Sequence, residues 1–152
     1  MTDKILQSIE DTKGMYYRLI LLVGNQEEFK PLAETLTKEM DVTAVNVNLE
    51  LSRQLLHKTS RQRKLGLAKA MQEIIGESEP VLLKHIDILF DVDLGQDPLR
   101  LLESLSRNKT VVALWNGHID DGKLVYAEPG HPEYRSYNTK DLIVIDLSTE
   151  TH

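Results

Sequence analysis

The chain contains no cysteine. That absence excludes disulfide scaffolds, zinc–thiolate centres and thiol nucleophiles, and it fits a cytoplasmic protein. No apolar stretch approaches the length a bilayer demands, and Met1-Thr2-Asp3-Lys4 opens no basic region followed by a long apolar run. Neither a membrane span nor a signal peptide is therefore expected. Gly-x-Ser-x-Gly is missing, and no Ser/His/Asp arrangement for nucleophilic catalysis can be assembled. The net charge of −6, from 18 basic and 24 acidic residues, argues against a general nucleic-acid-coating role, although a local basic face is still compatible with it.

What is present is ordinary globular composition. Hydrophobic residues make up 41% and charged residues 28% of 152 positions, enough for one domain with a substantial core. Ile5, Leu6 and Ile9 give the segment Asp3 to Asp11 one apolar helical face, with Gly14 as its end. Arg18 to Val23 is a short apolar run closed by Gly24, which reads as a strand buried on both faces. Pro31 suits the first turn of a following helix, continued by Leu32, Leu36 and Met40. Val42 to Val47 reads as the second strand and Leu49 to Gly76 as helix in two pieces, broken around Lys58 to Ser60. Val81-Leu82-Leu83, Thr110 to Trp115 and Leu142 to Ile145 complete the buried strands, and Asp97-Pro98 caps a helix between the first two of these. Asp121-Gly122 signals a hairpin before Leu124-Val125-Tyr126. Buried strands alternating with helices predict an α/β domain with a mainly parallel sheet covered on both faces.

The strand-to-helix junction after Gly24 carries a partial phosphate-binding motif. A P-loop, Gly-x-x-x-x-Gly-Lys-Ser/Thr, cradles phosphates with backbone N–H groups, reaches them with its lysine and holds Mg²⁺ through its hydroxyl. Here Gly24 and Lys30 stand at the required separation, but Phe29 replaces the second glycine and Pro31 the hydroxyl. Glu27 and Glu28 would face a polyanion with like charge. Ordinary Mg-ATP binding is therefore not expected. The plain alternative for Lys30 is a solvent-exposed lysine at a helix start.

The metal-organising carboxylate of such proteins usually ends a later buried strand. After Val81-Leu82-Leu83 stands Lys84-His85 instead, and Asp87 and Asp91 come later. A calcium loop from Asp91 to Gly95 fails, because its glycine is one position early and no glutamate stands twelfth. His85 as a metal ligand is weaker than His85 as a surface or half-buried side chain. No catalytic or metal-ligating residue is assigned, and no cofactor is expected. Arg53, Lys58, Arg61, Arg63, Lys64 and Lys69 form a basic run without an intervening acid. It suits either nucleic acid or an acidic partner, against the ordinary reading of a solvated helix face. Arg107, with His131, Tyr134 and Arg135 in the later loop, could make a subunit contact or act in trans on a neighbour's nucleotide.

Three blocks carry a family resemblance: Val45 to Arg53; Asp97 through Thr110 to Gly117; and Tyr126-Ala127-Glu128-Pro129-Gly130-His131-Pro132-Glu133-Tyr134-Arg135. The chain from about Tyr17 to Ile145 resembles BrxF, the family of small P-loop proteins of type III BREX phage-defence systems. The resemblance implies a three-layer, AAA-like P-loop core without a separate lid. It also implies partners among the other BREX proteins, which include a larger ATPase, a methyltransferase and a PglZ-type protein. Only Gly24 and Lys30 carry over from the family's phosphate site; Phe29, Pro31 and Lys84 depart from it. The expected function is a regulatory or non-catalytic subunit working through assembly with those proteins, with a homo-oligomer compatible with it. An active nucleotide-hydrolysing subunit with an atypical site and a DNA-contacting module are the alternatives.

Overall fold

A computed structural model describes residues 2–150 of the chain. Helix α1 (Thr2–Thr12) leads into strand β1 (Leu19–Gly24), helix α2 (Gln26–Glu39) and strand β2 (Thr43–Asn46). Helices α3 (Val47–Leu55) and α4 (Ser60–Ile75) follow, then strand β3 (Val81–Lys84) and two 3₁₀ turns, Ile86–Phe90 and Val92–Leu94. Helix α5 (Pro98–Leu105) precedes β4 (Val111–Asn116), and β5 (His118–Asp120), β6 (Lys123–Tyr126), β7 (Arg135–Asn138), β8 (Ile143–Asp146) and α6 (Leu147–Glu150) complete the order.

Five strands form one parallel sheet in the order β2-β3-β4-β1-β8. All six residues of β1 are buried, as a strand paired on both sides and covered on both faces requires. Alternation along the strands divides the core. Leu19, Leu21 and Val23 pack with α3, α4 and α5, whereas Ile20 and Leu22 pack with Ile5 of α1 and with Phe29, Leu32 and Leu36 of α2. Each face of the sheet is thus sealed by its own helices.

The β4–β8 connection carries a second, antiparallel sheet, β5-β6-β7, in place of a helix. The hairpin expected at Asp121-Gly122 joins β5 to β6, and both residues adopt positive φ, 50° and 75°. That is the backbone a two-residue hairpin turn demands, and Asp and Gly tolerate it. Among the described residues no helix is long and apolar enough to cross a membrane.

Two expectations are corrected here. Pro31 does not open α2, which begins at Gln26 and places the proline inside the helix. Nor does Arg135 lie in a loop, since it opens β7.

Candidate functional site

The carboxyl ends of β1, β3 and β4 place Gly24, the start of α2 with Lys30, and Lys84 at one edge of the sheet, the edge at which open α/β sheets ordinarily bind ligands. Gly24 ends β1 in register with Asn116 of β4, and the Gly117 N–H donates to the Gly24 carbonyl at 3.2 Å. Immediately beyond, Asn25 caps α2. Its side chain accepts the Glu28 N–H at 3.0 Å while the Glu28 carboxylate accepts the Asn25 N–H at 3.0 Å. This reciprocal capping box satisfies two of the donors that a helix start leaves free. The helix follows Gly24 so closely that no four-residue loop exists to wrap a phosphate.

The space over Gly24 is already taken. A Cβ built there would lie 2.8 Å from Glu28 Oε1, so the carboxylate sits against the bare glycine backbone. A carboxylate at a helix N-terminus occupies the favourable end of the helix dipole, the place a phosphate would otherwise take. Phe29 is only 3% exposed and belongs to the core beneath α2. It is helical and does not have positive φ. The residues at this junction therefore do not fit a Mg-nucleotide: a like charge, a filled pocket and a missing hydroxyl oppose it together.

Lys30 points elsewhere. It lines a groove of about 410 Å³ with Gln26 and Thr37 of α2 on one side and Lys84, His85 and Leu114 on the other. Lys84 is half-buried and His85 exposed, in the left-handed region at φ 54°. No side-chain hydrogen bond or ion pair engages Lys30, Lys84 or His85 among the described residues, and Glu34 is the one acid in the lining. The lysine that ends β3 thus turns the position of an expected carboxylate into part of a cationic groove. The sequence shows only the missing acid there; the α2 face opposite it appears only on folding.

The other candidates are scattered. Arg107 stacks over the Tyr16 ring with its guanidinium carbon 3.8 Å from the centroid. It lies between α5 and the start of β4, at the amino edge of the sheet, opposite to Gly24. Arg135 donates from Nη2 to the Gln96 carbonyl at 3.4 Å, and His131 Nδ1 accepts the Glu133 N–H at 3.0 Å. His131 does line a shallow depression with Asn116, Tyr126 and Glu128. Arg107 and Arg135 do not share one site.

Asp87 and the expected helix cap Asp97 also anchor the second sheet. Tyr126 donates its hydroxyl to Asp87 and Tyr137 donates to Asp97, each at 2.8 Å. Burial and then these carboxylate acceptors hold both phenols well above the ordinary tyrosine range. Asp97 at the same time caps α5, accepting from the Leu99 and Arg100 N–H groups. Asp91 likewise accepts the Asp93 N–H at 2.9 Å within its own turn. Among the described residues no group of three or more His, Asp or Glu side chains is placed to hold a metal ion.

The chain matches no protein-family model, and no curated protein matches it significantly.

Proposed function

We propose that this chain is a non-catalytic, P-loop-derived subunit that acts by protein assembly within a BREX-type anti-phage system. The strand order supports its derivation. With β4 inserted between β1 and β3, it is compatible with the AAA-like core that the resemblance implies, and it departs from the 3-2-1-4-5-6 order of dinucleotide-binding sheets, in which the first strand lies beside the second. The observation that carries the loss of catalysis is the closed start of α2, where the Asn25–Glu28 capping box sets the Glu28 carboxylate against Gly24. The partners are the other BREX proteins, with the larger ATPase component foremost.

The test is co-purification with those partners. The complex survives Lys30→Ala, and thermal unfolding of the wild-type protein does not shift with millimolar ATP and Mg²⁺. A ligand at a hundred times its Kd adds about 2.7 kcal/mol, so binding would be visible. Loss of the complex in Lys30→Ala, or a nucleotide shift lost in that variant, overturns the reading.

One observation favours a second reading, an atypical subunit that binds a phosphate-bearing ligand without metal. Lys30, Lys84 and His85 converge on one groove with a single acid in its lining. Under that reading ATP or pyrophosphate stabilises the protein equally with and without chelator, and Lys84→Glu abolishes the effect.

A further inference from the structure

Six of the chain's 18 Lys and Arg residues lie between Leu51 and Gln72, and none of its 24 acids does, so this stretch carries +6 against −12 for the remainder. Folding sorts those cations. Arg53 Nη1 pairs with Glu50 at 3.3 Å. Half-buried Arg63 donates from Nε to the Leu55 carbonyl at 3.2 Å, tying α4 back to the end of α3. The Lys64 stem lies against the Gly95 turn, 3.3 Å from where a Cβ on that glycine would stand, and its carbonyl accepts from Gln96. Lys58, Arg61 and Lys69, all exposed, have no side-chain partner among the described residues, and Lys58 and Arg61 stand at the α3–α4 corner.

The surroundings of Lys58 and Arg61 are partly apolar: Leu65, 77% exposed, follows Arg61 by one helical turn, and Leu56, 65% exposed, lies on the same α3–α4 corner as Lys58. Lys58, Gln62, Leu65 and Gly66 line a depression of about 420 Å³. Gly66 contributes no side chain to it, and a Cβ there would meet nothing within 4 Å. Phosphodiester backbones gain nothing from exposed leucines, whereas an amphipathic helix uses both apolar anchors and a complementary charged rim.

We infer that the α3–α4 corner is a docking face for an acidic amphipathic helix of a partner protein, with an apolar anchor on Leu65 and acidic side chains on Lys58 and Arg61. The inference rests on the assembly reading and supplies the chemistry of its partner.

The test uses the full chain and a fluorescein-labelled helical peptide bearing leucines at i, i+3, i+4 and i+7 among glutamates. Expected is binding that weakens as salt rises and falls about tenfold or more with Leu65→Ser or with Arg61→Glu. These exposed positions leave the fold intact, which the unfolding temperature of each variant checks. Absence of peptide binding, or binding indifferent to Leu65→Ser, overturns the inference. Duplex DNA binding that is lost in Arg61→Glu but kept in Leu65→Ser assigns the face to nucleic acid instead. Self-association lost in Leu65→Ser assigns it to a second copy. No defence protein enters this assay, so its failure leaves the Lys30→Ala co-purification result standing, and the reverse holds equally.

Discussion

Single side chains at the carboxyl edge of the sheet do the work that a ligand does elsewhere. Glu28 supplies the negative charge at the start of α2, and Phe29 fills the core beneath that helix. Tyr126 and Tyr137 fasten the second sheet through Asp87 and Asp97. Their effect has a definite sign. Both phenols are held above the ordinary range in the folded protein, whereas in the unfolded chain a tyrosine ionises near about pH 10. A raised folded pKa contributes stability that is complete below the unfolded value and is lost as pH rises above it, because the unfolded state then binds fewer protons. The urea midpoint is therefore expected to fall above about pH 10, and the Tyr126→Phe, Tyr137→Phe double variant to show a shallower fall. An unchanged alkaline slope in that variant would remove the phenols from the account.

Helix α2 is the element where local signals compete. Pro31 reads as a first-turn residue, yet Asn25-x-x-Glu28 is itself a capping-box signature and sets the start at Gln26. The proline therefore lies within the helix, where it cannot donate to the Glu27 carbonyl one turn back. Both residues are exposed, which leaves that carbonyl to water. Pro31→Ala is expected to stabilise the protein by about 1–3 kcal/mol, read as a higher urea midpoint. Rebuilding the motif has the opposite result. Phe29→Gly with Pro31→Ser removes a buried ring at a cost of about 3–5 kcal/mol, and no ATP-dependent thermal shift appears because the helix still starts too early. A nucleotide shift in that double variant would show that side-chain identity, not helix position, closes the site.

At the scale of the molecule, two sheets share one aromatic cluster. Phe90 stacks on Tyr126 with centroids 3.6 Å apart, and Trp115 meets both Phe90 and Tyr137 edge-on. Trp115 is fully buried and donates to the Val125 carbonyl at 3.2 Å, joining β4 to β6. That contact buries the apolar face of the short antiparallel sheet against the parallel one. Urea unfolding followed by Trp115 fluorescence and by far-ultraviolet circular dichroism is expected to give coincident transitions. Two separated midpoints would mean that the sheets unfold independently.

Hydrophobic runs and turn residues alone determined that the chain forms buried strands alternating with helices, that α3 and α4 break near Lys58, and that Asp121-Gly122 turns a hairpin. Such features depend on neighbours in sequence, where periodicity and backbone preference act. Short polar β7 escaped, because only its pairing with β6 makes Arg135–Asn138 a strand. Strand order, the groove joining Lys30 to Lys84, and the sorting of the basic run into engaged and free cations were decided by the tertiary structure. Each depends on which distant backbone or side chain comes within hydrogen-bonding reach, a distance that spacing along the chain does not encode.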